Sequence, residues 1–202
     1  MSGKIKTALI SVSDKTGLEG FVRVLHARYG VRILSTGGTA EAIRGFGVPV
    51  TDVSDHTGFP ACLDGRLKTL HPKVHGGILY KRADAGHVQT ITELGIDPID
   101  LVVVNLYPFE DTVAKSDVTL EKAIENIDIG GPAMLRSAAK NSDDVTVICC
   151  YTDYDGVLRE METHDGCTTQ MHRFRLGTKV FEVVSRYDAA IAAYRRKVAG
   201  PL

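Results

Sequence analysis

The stretch IDLVVVNLY, residues 99–107, constrains the fold of this chain more than any other. It is apolar almost throughout, yet far too short to cross a membrane as a helix. A run of this kind suits a strand buried on both faces, and such strands belong to sheets covered by helices on each side. Sheets of that type are built from parallel strands joined by crossover helices. The rest of the chain keeps that rhythm. IKTALISV (5–12) reads as a strand, and GLEGFVRVLHARYG as a helix with Leu18, Phe21, Val22 and Leu25 on one face. Asp14 is its expected N-cap and Gly30 its close. VRILS is a second strand, AEAIRGFG a second helix, and VPVTDVS extends again. A helix near 84–95 precedes the apolar strand. LEKAIENI is helical up to DIGG, and Pro132 suits the first turn of a helix through AMLRSAAK. VTVICC is a further strand, and a helix follows from about Tyr154. A long helix over 169–197 carries Phe174, Val180, Phe181, Val184, Tyr187, Ile191 and Tyr194 on its apolar side, with Gly177 interrupting it. The expected class is α/β: a mostly parallel sheet with helices on both faces, in one domain over 1–202.

Charge narrows the partners. Lys+Arg 24 against Asp+Glu 25 leaves a net charge of −1, so there is no basic bulk for nucleic acid. Cys62, Cys149, Cys150 and Cys167 show neither a CxxC pair nor zinc spacing, and read as reduced thiols of a cytoplasmic protein. The N-terminal apolar run is bounded by charge and reads as a strand rather than a signal peptide, and no membrane contact is expected. The AGPL end reads as a plain terminus.

The functional candidates cluster where strands end. Ser35, Thr36, Gly37, Gly38 and Thr39 lie between a strand and a helix, where open α/β sheets bind ligands. Small residues let backbone amides approach a phosphate, and three hydroxyls add donors. The same residues also fit an ordinary strand-to-helix turn with Thr39 as N-cap. Neither GxxxxGK[ST] nor GxGxxG is present, which favours a mononucleotide or sugar phosphate. Ser13 and Lys15 follow the first strand on the same edge, where Lys15 is placed to give a second charge to the phosphate.

Residues 54–77 fit no period, and long aperiodic segments in a compact domain are usually functional. Arg66, Lys68 and Thr69 lie there with His71, Lys73 and His75, among apolar anchors. A solvated basic loop is the plain alternative to anion binding. His71 and His75 have no third ligand at metal spacing, so no metal is expected. Asn105-Leu106-Tyr107-Pro108 ends the apolar strand, and Asp128-Ile129-Gly130-Gly131-Pro132 opens a helix whose amides suit an oxyanion. Helix punctuation and a buried tyrosine are the plain alternatives for these two. Lys140 stands near the end of that helix.

SVSDKTG, STGGTA, VSDHTGFP, DGRLKTLHPKVHGGIL, IDLVVVNLYPF, AIENIDIGGPAMLRSAAKN and RYDAAIAAY occur in this order over about residues 5–197. Together they resemble the IMP cyclohydrolase domain of the bifunctional purine-biosynthesis enzymes. The chain departs from that pattern at Leu67, at Cys149-Cys150-Tyr151 and at Leu176-Gly177-Thr178-Lys179. The resemblance implies a methylglyoxal-synthase-like three-layer sandwich. It also implies dehydrative ring closure of 5-formamidoimidazole-4-carboxamide ribotide to inosine monophosphate, with no cofactor. Ser13, Lys15, Ser35, Thr36, Gly37, Gly38 and Thr39 would hold the 5′-phosphate. Arg66, Thr69 and Asn105 would approach the base, and the Gly130 and Gly131 amides would serve as oxyanion donors. Lys68 would stabilise negative charge, Lys140 would move the proton, and Asp128 and Tyr107 would orient and relay. A homodimer is expected, with the 169–197 helix contributing to its contact. The transformylase domain is expected to be absent, with the formylated substrate supplied by a separate formyltransferase. A methylglyoxal-synthase-like lyase and a non-catalytic nucleotide-sensing module are the alternatives on the same fold.

Overall fold

The computed structural model describes residues 3–107, 109–114 and 118–200. Pro108 of the strand-end cluster, the first two residues, and the last two of AGPL lie outside them. In chain order the elements are β1 (Thr7–Val12), α1 (Leu18–Tyr29), β2 (Arg32–Ser35), α2 (Gly37–Gly45), β3 (Thr51–Asp52), α3 (Val53–Thr57), α4 (Pro72–Leu79) and α5 (Ala85–Glu93). There follow β4 (Leu101–Asn105), α6 (Phe109–Val113), α7 (Leu120–Glu125), α8 (Gly130–Lys140), β5 (Thr146–Ile148), α9 (Tyr154–Thr163) and α10 (Gln170–Ala199).

The sheet has five strands in the order β3-β2-β1-β4-β5, and every pairing is parallel. β1 and β4, paired from Ala8–Leu101 to Val12–Asn105, occupy the interior, so Leu9, Ile10, Leu101 and Val102 are fully buried. Burying each such side chain contributes about 1.5–3 kcal/mol. Helices α1, α2 and α9 pack together, as do α4, α8 and α10, giving the helix–sheet–helix layering. No helix among the described residues is long and apolar enough to cross a membrane.

Four local expectations need correction. Asp14 does not cap α1: its carboxylate accepts from the Thr16 amide and hydroxyl in a local turn, and Gly17 takes the N-cap position with φ 69°. Helix α2 starts inside the glycine loop at Gly37, and its N-cap is Thr36. The extension after Val48 is only the two-residue β3, which passes directly into α3. Gly177 does not interrupt α10, which runs unbroken over 30 residues. Gly177 lies where α10 packs on α8, and a Cβ there would meet the Ala139 carbonyl oxygen at 3.4 Å, an ordinary van der Waals contact. The apolar side of α10 is also divided. Val180, Val184 and Tyr187 are buried, whereas Phe174 and Phe181 face outward with Arg136 stacked over the Phe181 ring. Buried Arg173 anchors the start of α10 through the carbonyls of Thr168, Ser142 and Asp143.

Candidate active site

Strands in a parallel sheet end together, so the loops after β1, β2 and β4 share one edge. The register puts Ile10 beside Ser35 and Val12 beside Asn105. At about 4.8 Å per strand, the ends of β2 and β4 are separated by about 10 Å. Gly37 and Gly38 are exposed in the first turn of α2, and a Cβ at either would meet nothing within 4 Å. The first-turn amides of Gly37, Gly38 and Thr39 have no acceptor within their own helix. At Gly37 and Gly38 they stand open to solvent, and free first-turn amides of this kind suit a phosphate. Thr36 sits beside Ser11, their hydroxyl oxygens 3.5 Å apart.

The other two hydroxyls of that loop are committed elsewhere. Ser35 is buried and donates to the Ile10 carbonyl at 2.6 Å. Thr39 is buried, accepting from the Val12 amide at 3.1 Å and donating to the Val12 carbonyl at 2.9 Å. They lock the loop onto β1, so their expected role as side-chain donors is corrected. Asn105 likewise clamps the loop after β1. Its Oδ1 accepts from the Ser13 amide and hydroxyl and the Asp14 amide, and its Nδ2 donates to the Asp14 carbonyl. It acts on Ser13 rather than reaching for a base. Lys15 is exposed beside it.

The aperiodic segment folds back on itself. Cys62 and Leu67 pair in an antiparallel bridge closed by a turn with positive φ at Leu63 (54°) and Asp64 (53°), the Gly65 amide bonding the Cys62 carbonyl. Positive φ at both central positions is the type I′ geometry, costly for leucine. It presents Arg66 and Lys68 outward. Arg66 is held by Glu125 through two bonds of 3.1 and 2.6 Å. The Lys68 side chain lies across Gly65, with Nζ 3.1 Å from where a Cβ would stand. His75 on α4 bonds Ser137 of α8 at 3.0 Å, and burial holds its imidazole below its ordinary pKa.

This loop meets the start of α8 through contacts that only glycine permits. A Cβ on Gly130 would lie 2.6 Å from Thr69 Oγ1. At Gly131 it would clash with the Asp128 carboxylate and lie 2.9 Å from Leu106. Asp128 Oδ1 accepts from the Gly131 amide at 2.8 Å, so that amide is not an open oxyanion donor, which corrects the expectation for Gly131. Burial raises the Asp128 carboxyl above the usual range, and the Gly131 amide opposes this in part. A cavity of about 810 Å³ opens here, lined among others by Gly65, Arg66, Tyr107, Glu125 and Asp128. Tyr107 is 45% exposed on its wall, not a buried tyrosine. The structure thus gathers Arg66, Lys68, Thr69, Tyr107, Asp128 and Gly130 on the sheet edge that also carries the α2 amides.

Lys140 does not join them. It is the last residue of α8, and at 1.5 Å per residue that helix carries it about 15 Å from Gly130. Asn141 beside it bonds the Ile78 and Tyr80 carbonyls, near the edge where β5 begins. Within one chain, the expected convergence of Lys140 with Lys68 is therefore contradicted. The partners that sequence reasoning missed are Glu125, which aims Arg66, and Tyr187 of α10, which bonds the Asp128 backbone. Both lie far in sequence from the groups they hold, so no local pattern announces them.

Residues 17–133 match the MGS-like domain family, and residues 138–200 match the family described as the AICARFT/IMPCHase bienzyme. The bifunctional purine biosynthesis protein PurH of Chlorobaculum parvum is 58% identical over 196 residues, covering 97% of this chain and 37% of that protein. Its counterpart in Pelodictyon phaeoclathratiforme is 59% identical over 190 residues, covering 94% and 36%. The chain therefore spans a little over a third of the length of these relatives. Among solved structures, the crystal structure of ForH superposes with a TM-score of 0.80 at 36% identity, covering 94% of this chain and 98% of that one.

Proposed function

This chain belongs to the MGS-like domain family, and from that premise we propose that it is an IMP cyclohydrolase of the cytoplasm. The observation that carries the reading is the close contact of Thr69 with Gly130 beside a cavity lined by Arg66, Tyr107 and Asp128, on the edge where the Gly37 and Gly38 amides stand open. The 5′-phosphate of the formamido ribotide lies on the first turn of α2, with Ser13, Lys15 and Thr36 beside it. Its base and carboxamide enter the cavity between Arg66 and Tyr107. The carboxamide nitrogen attacks the formyl carbon and a C–N bond forms. The formyl oxygen becomes an oxyanion beside Lys68 and the Gly130 amide. One proton leaves the carboxamide nitrogen and the oxyanion is protonated; the hydroxyl then departs as water with a second proton, as the former formamide nitrogen gives up its N–H and a ring C=N bond forms. Asp128, kept partly desolvated, orients the carboxamide, and Tyr107 relays a proton. Folding the substrate back on itself supplies the proximity that an intramolecular closure needs. The reaction is redox-neutral and draws on no cofactor.

Lys140 enters from a second copy of the chain, so the working form is a homodimer. The outward Phe174 and Phe181, with Arg136 and Lys140 on the adjoining helix, suit that contact. The PurH relatives are named bifunctional, and a transformylase, fused or separate, supplies the substrate. The test is direct: incubate the formamido ribotide with protein and follow inosine monophosphate by absorbance. Formation of product supports the reading. Methylglyoxal from dihydroxyacetone phosphate, or nucleotide binding without turnover, would replace it with a lyase or a sensing module.

A further inference from the structure

Asp128 lines the cavity, but its backbone is held from elsewhere. The Asp128 amide donates to the Tyr187 phenol oxygen at 2.7 Å, across 59 residues of sequence. Tyr187 lies on α10 and is 8% exposed. Its ring meets Phe109 of α6 edge-on, with centroids 6.4 Å apart at 78°, and Phe109 in turn meets Tyr194 at 5.6 Å. The phenol is therefore fixed by packing, and one amide of the loop before α8 is fixed by the phenol. Asp128 Oδ1 caps the Gly131 amide, so the carboxylate has both its main chain and one oxygen restrained. We propose that Tyr187 is a positioning residue for ring closure: through the Asp128 amide it holds the Asp128 carboxylate against the first turn of α8 and out of water. This rests on the cyclohydrolase reading and adds a residue of α10 to it.

Without the phenol, the Asp128 amide is a part-buried donor without its acceptor, and the loop relaxes toward water to satisfy it. Water then reaches the carboxylate, and the desolvation that raises its pKa weakens. The charged and titratable groups nearby are Tyr187 on α10, with Asp188 beside that phenol, and Asp64, Arg66, Tyr107 and Glu125 on the cavity wall. Tyr187→Phe keeps the ring and removes one oxygen, leaving these in place.

The experiment measures kcat, KM and the pH profile of wild type and Tyr187→Phe. It also follows the Asp128 side-chain carboxyl by carbon NMR titration, the signal being assigned by its loss in Asp128→Asn. The expected result is a kcat lowered about 5- to 10-fold at unchanged KM, the equivalent of one lost hydrogen bond. The acid limb of the profile and the Asp128 titration both move to lower pH. A variant that loses thermal stability but keeps kcat and the Asp128 titration overturns the inference, since a purely structural phenol acts that way. If wild type makes no inosine monophosphate, the functional reading fails, and the NMR titration still decides whether Tyr187 governs Asp128. Tyr187→Met serves the same comparison should the phenylalanine variant not fold.

Discussion

Gly38→Ala separates a phosphate cradle from an ordinary turn. Gly38 sits in the first turn of α2, is exposed, and offers open space to a Cβ. Alanine is the better helix former by about 0.5–1 kcal/mol. With no contact to oppose that gain, the empty protein becomes more stable. For a chain of this size the melting temperature rises by about 1–4 °C. The cost appears only when a phosphate is bound, because the new methyl group stands where its oxygens approach the Gly37–Thr39 amides. Displacing one charge-assisted hydrogen bond forfeits about 1.5–3 kcal/mol. That weakens the affinity for inosine monophosphate about 10- to 100-fold by calorimetry. Stability rising while affinity falls is the expected pair of results. Higher stability with unchanged affinity would reduce the glycine to punctuation and refute the cradle. A lowered melting temperature would refute the claim of open space.

Gly131→Ala reverses that sign. The added methyl must displace the Asp128 carboxylate and crowd Leu106, outweighing the helix gain by about 2–4 kcal/mol and lowering the melting temperature by about 4–16 °C. Asp128→Asn separates stability from turnover. Because burial raises this carboxyl, its contribution to stability is complete below its unfolded pKa and is lost as pH rises through the folded one. The asparagine variant therefore melts higher than wild type at neutral pH. That difference fades as the solution is acidified, while turnover falls about 100-fold or more. A gap that is independent of pH would contradict the burial argument. Mixing inactive Lys68→Ala and Lys140→Ala proteins and allowing subunits to exchange should recover about one quarter of wild-type activity, since half of the mixed dimers' sites regain both lysines. No recovery in a mixture shown to exchange would place Lys140 outside the shared site.

What the sequence by itself determined is the alternation of strands and helices and the edge on which chemistry gathers. Hydrophobic period is local: IDLVVVNLY announces a buried parallel strand, and Gly30 closes α1 through its left-handed backbone without reference to anything distant. Glycine, hydroxyl and lysine placed just after strands mark the ligand edge for the same local reason. Tertiary structure alone decided which of those groups are available. The hydroxyls of Ser35 and Thr39 face β1 because strand register sets Ile10 and Val12 beneath them. The Gly131 amide is taken because Asp128 folds over it, and Gly177 continues its helix where α10 packs on α8. Lys140, expected to converge with Lys68, is carried about 15 Å from Gly130 along α8. Each of these depends on where an element points once it is packed, and no period along the chain encodes that.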